Sequence, residues 1–295
     1  MHINPFSNPW EHVRLLSDAS RNRAMIDTVV HHSPHKRVLE VGCGTGLLSC
    51  IAARAGATRV YAVEATDMVY VARDLVRRNG LEDVVEVIAG MVEDVEPKPV
   101  DFAFSELLHG DPFTEGVVGA SNAMARWVVE GGLLSPSQLT VYAALVPAAG
   151  PEWEVRAAEA ELARHSENFN LDLGAISEVM RSGTSHVYNS SGEVPVGPTV
   201  EVYRVNLGDG KPLPGPIDLV LQVAEAGPVS GVMVWFVARM DEHTDLGNPP
   251  RNPGHWGHHV CAFGRELEGT RGQRVAVRFH IKGKRLEVEL LDDLG

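Results

Sequence analysis

The chain has 295 residues, 44% apolar and 22% charged, which is enough to bury a real core and more than one domain of usual size holds. With 39 acids against 26 bases the net charge is −13, which argues against nucleic acid as a partner and suits a cationic ligand. Three scattered cysteines make no disulfide framework, no apolar run is long enough to span a bilayer, and Met1–Pro5 does not open a secretory signal, so a cytoplasmic protein with no membrane partner is expected.

Residues 37–41 read as a short buried strand, ended by Gly42-Cys43-Gly44-Thr45-Gly46 and followed by an apolar helical run over 47–54. A second strand at 59–63 leads to a helix over 68–78, which Asn79-Gly80 stops. Strands follow at 84–89 and 100–104. Strands and helices alternating at this length predict a doubly wound parallel sheet, whose ligands bind beyond the carboxyl ends of the strands. The second half changes character. Strands at 138–146, 200–205, 219–223, 231–238, 274–281 and 285–290, separated by turn residues, predict an antiparallel barrel or sandwich. Residues 152–164 and 173–181 are helical in composition and form an insertion between strands.

The spacing G-x-G-x-G at 42–46 lies between a strand and a helix. Glycine allows a tight turn there and lets a ligand approach the backbone, while the helix N-terminus favours negative charge. The spacing differs from the G-x-G-x-x-G of dinucleotide binders, so nicotinamide chemistry is disfavoured. Glu40 precedes the loop and Glu64 ends the second strand, where a carboxylate can accept both hydroxyls of a ribose. The plainer alternative is a tight strand–helix turn with two solvated acids.

The stretch Val38–Ser49, with Val63-Glu64-Ala65 after it, resembles the class I S-adenosylmethionine-dependent methyltransferases, and most of all their arginine methyltransferase branch. That resemblance implies S-adenosylmethionine as cofactor, with Glu64 on its ribose and the segment containing Val92 and Glu93 at its adenine. It leaves Gly42, Gly44, Gly46 and Glu40 around the cofactor.

Glu106 and Glu115 bracket a loop that follows the fourth strand and contains Gly110 and Pro112. Two carboxylates facing one site stay ionised if a cation lies between them, and a guanidinium with its planar fork of donors suits that place. Both acids and their nine-residue separation resemble the double-glutamate loop of the protein arginine methyltransferases, whose activity is then expected here. Gly110 and Asp111 replace bulkier aromatic residues of that family, so the substrate entrance is expected to differ.

Asn252-Pro253-Gly254-His255-Trp256 resembles the family's threonine-histidine-tryptophan loop, with Gly254 in place of threonine. This implies His255 beside the double-glutamate loop, orienting it or accepting a proton, and Trp256 at the acceptor. Leu15–Arg21 is similar to the family's N-terminal lid helix, which makes Arg21 the residue on the cofactor carboxylate. His12 is a further candidate near the arginine site; the aromatic pair and third tyrosine that usually precede the family's lid are absent, leaving only Phe6 and Trp10 there. Glu167–Leu173 resembles a dimerisation arm. The groups His258, His259, Cys261 and His31, His32, His35 lack zinc-site spacing, so no metal is expected.

The resemblance implies an α/β plus β fold: lid helices over 1–33, a Rossmann-like domain over 34–146, and a β-barrel over 147–295 with a helical dimerisation arm at about 152–182. A homodimer is expected. The short N-terminus and altered loop, with arginine far outnumbering lysine, point to a bacterial enzyme methylating free L-arginine for a natural product, of the streptozotocin-pathway type. Arginine in a peptide is the alternative acceptor, and a non-catalytic cofactor-binding scaffold is the alternative from another class.

Overall fold

The computed structural model describes residues 9–147, 151–169, 171–176, 184–187, 195–252 and 254–294. Phe6, Asn170, Pro253, residues 177–181 of the second expected helix and the side chain of Trp10 lie outside what it describes.

Helices α1 (Pro9–Ser17) and α2 (Ala19–His32) come first. Asp18 separates them and caps α2 by accepting the Arg21 N–H at 3.0 Å. Five strands then alternate with helices: β1 (Arg37–Val41), α3 (Leu47–Arg54), β2 (Arg59–Glu64), α4 (Met68–Arg78), β3 (Val85–Ala89), β4 (Val100–Ser105), α5 (Val117–Ala125) and β5 (Val128–Ser135). They form one parallel sheet in the order β3-β2-β1-β4-β5. Helices cover both faces, so β1 and β4 are buried along nearly their whole length and read as apolar runs. Helix α4 shows why it lies on the surface: Met68, Val69, Ala72 and Val76 form its buried stripe while Arg77 and Arg78 point to water.

The remaining strands are antiparallel: β6 (Gln138–Val146), β7 (Thr184–Val187), β8 (Val200–Asn206), β9 (Ile217–Gln222), β10 (Gly227–Arg239), β11 (Asp245–Gly247), β12 (His258–Gly269), β13 (Arg274–Lys282) and β14 (Arg285–Leu294). Helix α6 (Pro151–Phe169) is inserted after β6. One sheet runs β7-β12-β10-β6-β8 with β11 on β10, and a second runs β14-β13-β9. Val141, Phe236, Val277 and Phe279 from the two sheets share one buried cluster, the barrel-type core expected from sequence.

One boundary moves. The boundary expected at residue 146 falls after β6, a strand itself expected among the antiparallel ones; β6 is hydrogen-bonded to β10 and β8 in the antiparallel sheet. The change of sheet falls between Ser135 and Gln138. Among the described residues no helix is long and apolar enough to cross a membrane.

Candidate active site

The carboxyl ends of β1, β2 and β4 open into a cavity of about 750 Å³, closed over by the lid helices and by the turn at Gly254–Trp256. Its floor is the glycine loop. Gly42, Gly44 and Gly46 all have positive φ, at 72°, 54° and 78°. The Gly42 and Cys43 N–H groups donate to the Val63 carbonyl, tying the loop to the end of β2. A Cβ on Gly42 would lie 2.9 Å from Leu107 Cδ2, so this glycine lets the loop after β4 pack on the loop after β1.

Glu64 ends β2 and lines the cavity. It is buried; one oxygen accepts the Gly44 N–H at 2.8 Å, and the other accepts the backbone N–H and hydroxyl of Thr66. Val92 and Glu93 line the cavity beside it. Glu40 lines the wall too, bonded to the Ser49 hydroxyl, and burial pushes its carboxyl up to about 8. The folded protein therefore holds this proton where the unfolded chain has released it. That contribution to stability is complete below the ordinary carboxylate pKa and is lost as pH rises toward 8, at up to about 1.4 kcal/mol per pH unit. Glu40→Gln is expected to remove this slope, so that its advantage in urea midpoint over the parent grows between pH 5 and pH 8.

One residue expected at the cofactor is placed differently. Gly46 does not line the cavity; it precedes α3 with a Cβ position only 3.1 Å from Ala72 Cβ, so it serves helix packing. His12, expected near the arginine site, lines the same cavity as Glu106 and Glu115 and lies over the glycine loop, its Cε1 2.6 Å from a Cβ at Gly44. A methyl group on Gly44 would meet a ring that can swing away, but it would also stand in the cavity and force a left-handed alanine. Gly44→Ala is expected to cost about 1 kcal/mol in stability and to weaken S-adenosylhomocysteine binding at least about 10-fold by calorimetry.

Glu106 and Glu115 both face the cavity from the loop between β4 and α5. Their surroundings differ. Glu106 Oε2 accepts from Arg21 Nε at 2.8 Å and from Arg21 Nη2, while Oε1 accepts the Trp256 indole N–H at 3.3 Å. Arg21 also donates from Nη1 to Asn22, which leaves part of its fork for a ligand carboxylate. Glu115 has no hydrogen-bond partner among the described residues. Burial pushes its carboxyl well above the usual range; the Glu106 charge adds to this and Arg21 opposes it. A cation arriving between the two acids would relieve that penalty.

His255 was expected near this loop, and its partner is a residue the sequence reading missed. Asp18 Oδ2 accepts the His255 backbone N–H and pairs with Nδ1, both at 2.9 Å. The His255 and Asp18 side chains are only 8% and 6% exposed, so the pair is shielded from water. Burial alone would raise the Asp18 carboxyl, but its bonds from Arg21 and His255 win and hold it well below the carboxylate range. Burial pushes His255 down, outweighing Glu106 and Asp18, which favour its charged form. Gly254 permits the contact: at φ 61° a Cβ there would lie 2.7 Å from Asp18 Oδ2. The one available sequence signal was Asp18 three residues before Arg21, which reads only as a helix cap. Trp256 packs edge-on against Phe236 and orients Glu106.

His258 and His259 are tied to the Pro249 and Leu286 carbonyls. Among the described residues no group of three His, Cys, Asp or Glu side chains is arranged to hold a metal.

Residues 38–132 match a protein family described as a methyltransferase domain. Over 148 residues, 48% of this chain, it is 40% identical to probable protein arginine N-methyltransferase 6 of Arabidopsis thaliana, covering 34% of that protein. Over 97% of the chain it is 26% identical to protein arginine N-methyltransferase PRMT10 of Oryza sativa subsp. japonica, covering 84% of it. The matches span between 34% and 39% of the length of the first curated relatives. Among solved structures, Arabidopsis thaliana protein arginine methyltransferase 10 superimposes with a TM-score of 0.81 at 24% identity, over 96% of this chain and 92% of that one. The Trypanosoma brucei PRMT1 enzyme-prozyme heterotetramer with AdoHcy gives 0.83 at 21% identity, over 99% and 96%. These structures share the fold of this chain.

Proposed function

We propose that this protein is an S-adenosylmethionine-dependent methyltransferase that methylates an arginine guanidinium. The observation that carries the reading is a single cavity lined by a glycine loop, by Glu64 and by two glutamates, one of them, Glu115, held against its charge. The cofactor supplies an electrophilic sulfonium methyl group when bound. Its fit rests on the bare backbone of Gly42 and Gly44, on the Glu64 carboxylate for the ribose, and on the remaining Arg21 donors for the carboxylate.

The chain's own groups do the rest. Glu106 and Glu115 grip the acceptor guanidinium and draw its positive charge toward the nitrogens they hold, so the remaining nitrogen gains nucleophilic character. Trp256 and Arg21 fix Glu106 so that little reorganisation is needed. His255, poised by burial in its neutral form and oriented by Asp18, accepts the proton released afterwards.

Similarity to relatives named protein arginine N-methyltransferases supports arginine within a protein as acceptor. A second reading is free L-arginine in a bacterial biosynthetic route, favoured by one feature of the cavity mouth, the amine of Lys284 beside Gly116. Homodimerisation through α6 and a cytoplasmic location belong to the same reading.

Mass spectrometry after incubation with S-adenosylmethionine and either free L-arginine or an arginine-rich peptide tests it. Gain of a methyl group on a guanidino nitrogen is expected. Cofactor binding with no methyl on either acceptor would leave a scaffold.

A further inference from the structure

The hairpin between β13 and β14 carries Gly283 and Lys284 at its turn, far in sequence from the glutamates. Asp111, inside the double-glutamate loop, is 2% exposed and accepts the Leu286 N–H at 3.0 Å while also accepting from Phe113 N–H. His259 holds the Leu286 carbonyl at 2.8 Å. The start of β14 is thus held through both backbone groups of Leu286, to the loop by Asp111 and to β12 by His259. That clasp delivers Lys284 to the cavity mouth, where its Nζ lies 2.7 Å from the Cβ position of Gly116. Gly116, at φ 81°, has no side chain to keep the amine out. Lys284 is exposed there, and among the described residues no carboxylate forms an ion pair with it.

We propose that Lys284 is a specificity-determining residue that binds a carboxylate carried by the acceptor next to its target arginine. This rests on the reading of Glu106 and Glu115 as the guanidinium clamp. Lys284 follows that clamp directly in space, beside the residue after Glu115, so an arginine held by its guanidinium has its backbone end directed toward the mouth. An anion attached there meets the ammonium; a peptide that continues with further cations is repelled. The carboxylate has two sources, the α-carboxylate of free L-arginine or an acidic side chain flanking the arginine in a peptide.

Calorimetry in the presence of S-adenosylhomocysteine separates them. The acceptors are L-arginine, L-argininamide, a blocked glycine-arginine-glycine tripeptide and its aspartate-arginine-glycine counterpart. The carboxylate-bearing member of a pair is expected to bind about 5-fold tighter, the size of a solvent-exposed charge pair. Lys284→Gln should bring that ratio near one, Lys284→Glu should invert it, and Lys284→Arg should restore it. Affinity for S-adenosylhomocysteine, measured on each variant, shows that the fold persists. A preference confined to the first pair assigns the α-carboxylate, and one confined to the tripeptides assigns the side chain. Equal affinities in the parent, or a ratio that survives both Lys284→Gln and Lys284→Glu, overturns the proposal. A Lys284-dependent preference without methyl transfer to any acceptor leaves Lys284 in place and removes the catalytic reading. No binding by any of the four removes both.

Discussion

Glu115→Gln is expected to lower kcat/KM for arginine methylation at least about 100-fold while leaving the folded protein no less stable at neutral pH. The activity loss follows from removing one of two charges that align and polarise the guanidinium, a transition-state contribution of that order. The stability result follows from the opposite sign of the same charge in the free protein. Burial raises the Glu115 carboxyl above its ordinary range, so the folded state binds this proton more tightly than the unfolded chain. Its contribution to stability is full below the unfolded pKa and is lost as pH rises through the raised value. Glutamine cannot ionise, and that loss disappears. Glu106→Gln should abolish turnover equally but behave differently on unfolding. It leaves the Arg21 guanidinium, 11% exposed, without its carboxylate, a loss of about 3 kcal/mol for a buried pair. Thermal melts of the two variants, set beside their rates, separate clamp from scaffold: equal melting points would mean that Arg21 and Glu106 do not form the pair described.

Asp18→Ala is the second large effect, because this residue does two jobs. It caps α2 through the Arg21 N–H, and it anchors His255 by two bonds. Loss of the cap costs about 1 kcal/mol and loss of charged hydrogen bonds to His255 about 2 kcal/mol more. Because the folded protein depresses the Asp18 carboxyl, its stabilisation is present above the unfolded pKa and is lost only as pH falls into strongly acidic solution. Catalytically, the Asp18 charge favours protonated His255, so removing it pushes the imidazole further down. The acidic limb of the pH–rate profile should move to lower pH while the maximum rate falls about 10-fold or more, since the base is weaker and less well held. A limb that stays in place under reduced rate would make Asp18 a support of the lid alone.

Much of the parallel sheet was legible because strands buried on both faces write themselves as apolar runs, and because glycine turns and Asn79-Gly80 mark their ends. β5 and α5 were not. Gly131-Gly132 interrupts β5, and Gly132 is demanded by backbone, with a Cβ position 3.0 Å from the Asp101 and Val129 carbonyls. Helix α5 is built of small residues buried on most sides, so it has no polar stripe to announce a helical period. β12 was not legible either: it carries His258, His259 and Cys261, whose side chains hold neighbouring carbonyls.

The glutamate pair, Glu64 and His255 were legible as motifs with fixed spacing. Asp18, Asp111 and Lys284 were not, since each acquires its place through contact with residues more than a hundred positions away. Gly254, read only as a departure from a threonine, proved to be the opening through which Asp18 reaches His255.

A crystal structure of the protein with S-adenosylhomocysteine and an arginine acceptor tests the proposed division of this cavity most directly. The expected result places the nucleoside between the glycine loop and Glu64, and the acceptor guanidinium between Glu106 and Glu115, with one nitrogen directed at the sulfur. An acceptor bound elsewhere, with Glu115 still unpaired beside an occupied cofactor site, would contradict it.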